Sequence, residues 1–210
     1  MPVLIHPSCF PNIATTAAMV QQSVVWEVCD NYQKQTYRNR FHICTDQGLH
    51  RLSVPIKHLG DNQGRQQYAN VQVDNSSNWQ KQQWRTLQTA YRTSPFFEFY
   101  EDALTPIFER PYTLLMDFNW DSLRFICESL QITLSDAKTT TYTASPKEEL
   151  DLRFLVKAKE ILSFEFTPYN QVFGERHGFL GNVSVLDLLF NEGPNAIAYL
   201  RKQALPFKDA

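Results

Sequence analysis

Residues 30–43 hold the densest chemistry in this chain. Lys34, Arg38 and Arg40 supply positive charge, Gln33, Gln35 and Asn39 supply amides, and Tyr32 and Tyr37 supply flat phenol faces. Guanidinium forks and ammonium groups grip phosphate or carboxylate, while amides and phenols hold a planar or sugar-like body. The set therefore suits an anionic small molecule such as a nucleotide sugar. The same residue types also describe a solvated edge strand whose cations discourage aggregation, and composition leaves both readings open. His6 brings a different capacity. It follows an apolar run at 3–5 and opens a loop fixed by Pro7 and Pro11. That is the carboxyl end of an expected strand, where ligands of open α/β sheets bind and where a general base would be useful. A hydrogen-bonded loop histidine without chemistry fits the same position. Cys9 in that loop is a candidate nucleophile if its thiolate is exposed, with a core thiol as the alternative.

Positioning these groups falls to the elements around them. The run at 3–5, the loop at 6–12 and an Ala- and Met-rich segment at 13–22 capped by Asn12 spell a strand, loop, helix unit. Residues 23–29 are rich in β-formers, and period-2 alternation would carry Val24, Trp26, Val28, Asp30, Tyr32 and Lys34 on one face. Strands at 40–44 and 49–56 follow, joined by a turn at 46–48, so that a meander presents the cations. A polar loop is expected at 59–67, a further strand at 71–74, helices at 79–91 and 112–130, and an aromatic core knot at 96–100. The run 139–143 has strand propensity. Ser145, Pro146 and Glu148 read as a helix start and predict a helix to about residue 159. A polar and aromatic loop at 168–181, an apolar helix or strand at 184–190, a helical turn or two at 195–203 and a frayed tail from Pro206 complete the chain. The expected fold class is α/β, a single mixed α/β domain over residues 1–210 with a central sheet flanked by helices. No linker, repeat or low-complexity tract divides the chain.

Composition excludes several classes. Lys and Arg together number 20 against 22 Asp and Glu, for a net charge of -2, and a duplex-binding domain normally carries a basic excess. No nucleic-acid partner is expected. No apolar run is long enough for a membrane span and the first residues lack a secretory pattern, so a cytoplasmic protein is expected. Cys9, Cys29, Cys44 and Cys127 stand singly, without metal-ligand spacing or a disulfide framework. With seven glycines there is no phosphate-cradling glycine motif, which disfavours an ATPase or a dinucleotide enzyme. The sequence names no cofactor.

Three groups of residues carry a resemblance. His6-Pro7 with Pro11 opens the first, and Asp30, Tyr32, Lys34, Arg38, Asn39 and Arg40 form the second together with Leu52-Ser53-Val54-Pro55-Ile56-Lys57. The third is a closing motif, Gly178-Phe179, Asn182, Ser184 and Asp187 to Asn191, with Trp84, Tyr91 and Ser94 to Phe97 between. In this order the chain resembles the WbqC-like family of bacterial proteins over most of its length. The family's founding member is associated with O-antigen gene clusters, and the resemblance implies transfer of an acyl or aminoacyl group, such as glycyl, to an amino sugar. On that reading His6 is the base. Lys34, Arg38, Asn39, Arg40 and Lys57 hold the anionic or carbonyl parts, Tyr32 or Tyr37 stacks on the ligand, and Asn182 and Asp187 contribute from the closing motif. The alternative is a non-catalytic module that binds an anionic sugar nucleotide or glycan. Geometry separates the two, since a base must come within about 2.6–3.2 Å of the proton it removes, or reach it through one water.

Overall fold

Val3, Leu4 and Ile5 offer no polar face to water, and the chain buries all three at the centre of a parallel sheet. A strand covered on both faces reads as a continuous apolar run, and this is one. The computed structural model describes residues 1–57, 64–159 and 165–205. In it β1 (Val3–Ile5) is flanked by β2 (Val24–Trp26) and by β5 (Leu150–Asp151), both parallel to it. Between β1 and β2 runs α1 (Ile13–Gln21), which starts where the Asn12 side chain accepts the Thr15 N–H at 2.9 Å. A separate antiparallel hairpin is formed by β3 (Arg40–Thr45) and β4 (Gly48–Ser53). The fold is α/β, with a central sheet and helices packed around it.

The helices are α2 (Trp79–Tyr91), α3 (Phe97–Glu109), α4 (Leu115–Ser129), the single turn α5 (Gly174–His177), α6 (Val185–Glu192) and α7 (Ala196–Lys202). Residues 185–190 of α6 are all buried, as expected of a helix apolar on nearly every side. Phe190 of α6 meets Tyr91 and Phe97 with ring centroids 5.0 Å apart in both cases. After α6 the chain turns at Gly193, at φ 51, where an added Cβ would lie 2.6 Å from the Phe96 ring. Both the left-handed backbone and the close approach demand glycine there. Phe10 also adopts a positive φ, 38, while fully buried. For a bulky residue this is strained backbone, held by packing and by the Ser184 hydroxyl donating to its carbonyl.

Several expectations need correction. The strand at 23–29 stops at Trp26, and the alternation does not run on to Lys34, because the chain turns from Glu27 onward. The cations are therefore presented by turns and by the first residue of the hairpin, not by one meander. No helix forms over 146–159. Leu150 and Asp151 pair with β1 instead, and Arg153 to Val156 make a short 3-10 turn. Residues 139–143 are not a strand; beside them Lys138 makes one parallel bridge to Trp26. The segment 71–74 makes isolated bridges from Val73 to Ile56 and from Gln72 to Leu114. The aromatic residues at 97–100 are the first turn of α3, which the aromatic density hid. Part of the expected loop at 59–67 and the tail from Pro206 lie outside the described residues.

A buried acid locks the closing motif. Asp187 has no solvent exposure and accepts hydrogen bonds from the Tyr91 hydroxyl at 2.7 Å, the Tyr169 hydroxyl at 2.6 Å and the Gln171 amide at 2.9 Å. Burial still leaves its carboxyl above the ordinary range. Tyr91→Phe removes one of these donors and also the hydroxyl that accepts the Cys44 N–H. Its expected cost is about 1–3 kcal/mol in unfolding free energy, the penalty for stranding buried polar groups, as read from a urea titration.

Candidate functional site

All three strands of the parallel sheet end on the same edge, and each delivers a charged or titratable residue there. His6 follows Ile5 of β1, Glu27 follows Trp26 of β2, and Asp151 ends β5 with Arg153 two residues on. Carboxyl ends of parallel strands form the usual ligand crevice of such sheets. Here they border a cleft of about 280 Å³ lined by His6, Asp30, Arg38, Tyr142, Asp151 and Arg153, among others.

His6, Asp30 and Arg38 form a closed triangle beside this cleft. Arg38 Nη2 donates to Asp30 Oδ2 at 2.7 Å and lies 2.7 Å from His6 Nε2, while His6 Nε2 and Asp30 Oδ2 are 2.9 Å apart. One ring nitrogen cannot donate to Asp30 and accept from Arg38 at once. With its proton, Nε2 donates to Asp30 and leaves a lone pair on Nδ1. Without it, Nε2 accepts from Arg38 and Nδ1 carries the proton. Nδ1 has no partner among the described residues in either case.

Burial pushes the His6 imidazole down to about 4, helped by the Arg38 cation and opposed by the Asp30 hydrogen bond, so the ring is neutral at pH 7. Burial raises the Asp30 carboxyl, but the His6 hydrogen bond and Arg38 outweigh it and the net direction is down. Arg38 is 1% exposed. Its guanidinium lies 5.2 Å from the centroid of the buried Tyr68 ring, and its carbonyl is clamped by Asn119 Nδ2 at 2.9 Å.

Arg153 joins the strand ends. It donates to both Asp151 oxygens, at 2.8 Å and 2.7 Å, lies 3.3 Å from Glu27 Oε2, and donates to the carbonyls of Thr143 at 2.9 Å and Ala144 at 3.0 Å. The Asp151 carboxylate holds it firmly protonated. Through those two carbonyls Arg153 braces residues 139–145 as a wall. Tyr142 and Ala144 face the small cleft, while Thr141, Thr143 and Ser145 face a second, larger one of about 540 Å³ that also includes Glu27 and Lys138.

The residues expected at the site separate into groups. His6 and Arg38 meet, His6 as a buried member of the triangle. Tyr32 is half-buried between Arg38 and Arg40, and burial pushes its phenol up to about 12 against both cations. Tyr37 Oη lies 3.4 Å from His42 Nδ1 on the hairpin, and the Arg40 cation helps hold that imidazole down. Lys34 is exposed on a turn, and exposed Lys57 reaches Gln72 at 3.4 Å; neither borders the cleft. Asn39 is buried and donates to the Val54 carbonyl at 2.9 Å, tying the hairpin. Asn182 accepts the Ala14 N–H at 2.9 Å, and Asp187 sits in its own buried network. Both serve packing. Cys9 is fully buried with its thiol pushed well up by burial, the opposite of an activated thiolate.

Glu27, Tyr142, Asp151 and Arg153 were not expected at the site, and Asp30 was not expected as the counter-charge. The available signal was the alternation Leu150, Asp151, Leu152, Arg153, which is a strand pattern. Among the described residues no group of three or more His, Cys, Asp or Glu side chains could hold a metal ion, and no helix is long and apolar enough to cross a membrane.

The low His6 value has a sign that can be checked. The unfolded chain takes a proton on this ring near 6.5, whereas the folded chain resists until about 4. His6 therefore withdraws stability as pH falls from about 6.5 to about 4. His6→Gln should flatten that part of the stability profile relative to the native chain, while the loss below it, which belongs to Asp30 and other acids, persists. Superimposable profiles over this window, measured by urea unfolding at a series of pH values, would contradict the assignment.

Comparison with known proteins gives the chain a family. "Uncharacterized protein Rv1507c" of Mycobacterium tuberculosis is 30% identical over 213 residues, covering 88% of this chain and 89% of that protein. No solved structure matches the chain. The sequence profile of the WbqC-like protein family matches residues 10–163, which include β2, the triangle partners Asp30 and Arg38, the hairpin and the Arg153 brace: the chain belongs to the WbqC-like protein family.

Proposed function

We propose that the chain is a group transferase that moves an acyl or aminoacyl group, such as glycyl, onto an amino sugar during surface-polysaccharide assembly of the O-antigen type. The observation that carries this reading is the His6, Asp30 and Arg38 triangle beside a cleft at the sheet edge. An acid holding one ring nitrogen so that the other can take a proton is the logic of an oriented base. In the reaction, the sugar amine attacks the acyl carbon and His6 Nδ1 accepts the amine proton; the bond from that carbon to the donor then breaks, and His6 passes the proton to the departing donor group. The cations bordering the cleft stabilise the oxyanion. A transfer has two substrates, and two clefts share the wall at 139–145, with the Arg153 to Glu27 pair between them. Such chemistry fits a cytoplasmic enzyme acting on an activated, anionic donor.

One observation favours a second reading, non-catalytic binding of an anionic sugar nucleotide or glycan. His6 Nδ1 is buried, and a ring that titrates near 4 is a weak base at neutral pH. A thermal-shift screen of nucleotide sugars, acyl-CoA and aminoacyl donors identifies a ligand, because binding to the native state alone raises the melting midpoint. Mass-spectrometric assay of the hit with amino-sugar acceptors then decides. Transfer by the native chain that is lost in His6→Gln while binding persists supports the transferase. Binding without any transfer supports the module.

A further inference from the structure

We infer that one face of the hairpin is a phosphate-binding site, separate from the cleft and formed by Arg40, His42 and Arg51. In an antiparallel pair, residues opposite each other point to the same face and every second residue along a strand joins them. Arg40 is opposite Ser53 and His42 is opposite Arg51, so these four side chains share one face. Their neighbours Phe41 and Leu52, opposite each other, are buried on the other face. The hairpin thus has an apolar side against the core and a cationic side away from it.

This cationic side has no ion-paired counter-charge among the described residues. Neither Arg40 nor Arg51 makes an ion pair among the described residues, whereas Arg38, two residues before Arg40, pairs through Nη2 with Asp30. Arg51 lies diagonally across the hairpin from Arg40, and after burial its like charge is the largest influence on Arg40. Arg40 is half-buried and its buried Nε has no hydrogen-bond partner among the described residues. Tyr37 closes the end of the face. Its hydroxyl is near His42 Nδ1 and interacts with the Asn12 side-chain amide. Two guanidinium forks, an imidazole and a phenol around an uncompensated positive centre match the oxygens of a phosphate or diphosphate, which accept several donors at once. The burial of His42 and the two arginines beside it hold its imidazole down, so a bound phosphate would reverse part of that effect.

The test uses inorganic phosphate and pyrophosphate with the full chain at low ionic strength, by calorimetry and by NMR of the His42 ring. The expected result is saturable pyrophosphate binding that weakens about tenfold or more in Arg51→Gln, about the worth of one charge-assisted contact. Lys34→Gln, which removes an exposed cation from outside the face, should leave the affinity unchanged. The His42 pKa should rise on saturation. Arg51 is exposed, so its variant retains the fold and its melting midpoint provides the check. Absence of saturable binding, equal weakening by Lys34→Gln, or a His42 ring indifferent to pyrophosphate overturns the inference. None of these outcomes bears on the cleft, whose residues the variants do not touch.

Discussion

Asp30→Ala is expected to destabilise the chain by about 3–5 kcal/mol, the cost of leaving a buried cation without its partner. Arg38 is 1% exposed, Asp30 Oδ2 accepts its Nη2 at 2.7 Å, and its Nε and Nη1 have no hydrogen-bond partner among the described residues. Removing the carboxylate therefore leaves the guanidinium only the His6 nitrogen and the Tyr68 ring face. Adding Arg38→Met to Asp30→Ala should recover much of the loss, because replacing both members of a buried pair by apolar groups is far milder than removing one. A double-mutant cycle from urea unfolding measures this directly. If the double variant is as unstable as the sum of the two single variants, the triangle is not an energetic unit.

Arg153→Met is expected to have the second largest effect, on stability and on ligand binding together. Among the described residues, the substitution leaves Glu27, at 0% exposure, with the Cys29 N–H and the Thr139 hydroxyl as its hydrogen-bond donors. It also removes the donors that hold the Thr143 and Ala144 carbonyls. A buried carboxylate that loses its cation costs about 3 kcal/mol or more. Because the wall at 139–145 would lose its brace, affinity for the ligand identified by thermal shift should fall at least about tenfold. Arg153→Lys separates the two contributions. Lysine restores a charge near Glu27 but not the fork that spans two carbonyls and Asp151, so it should recover part of the stability and little of the affinity. A variant with lowered stability but unchanged affinity would show that the wall does not shape the site.

How much of this was legible in the sequence follows from which forces are local. The unit of β1 and α1 was readable because an apolar run, two prolines and an Asn cap act within a few residues of one another. The hairpin was readable for the same reason, through its turn at Gly48. The region at 145–156 was misread because a sound local signal, Ser145 and Pro146 followed by acids, competed with the alternation from Leu150 to Arg153. Pairing of Leu150 with Val3 decided the outcome, and nothing near residue 150 announces a partner so distant in sequence. At the site, His6 and Arg38 stood out by residue type. Their meeting depends on Asp30, which looked like one more polar residue in a cationic stretch. Lys34, Lys57 and Asn39 stood out equally, yet two are solvated and the third ties backbone. Residue type announces what a side chain can do, and only the fold assigns which of them face one another.

The central claim is that ligand binds at the carboxyl edge of the parallel sheet, between His6 and Arg153. Hydrogen exchange of the full chain, with and without a saturating ligand from the thermal-shift screen, tests it without any substitution. Binding in the cleft predicts slowed exchange at the amides of residues 6–9, 28–33, 142–144 and 151–157, the segments that border it, with little change in α3 and α7. Protection confined to other segments, with these four unchanged on saturation, would contradict it.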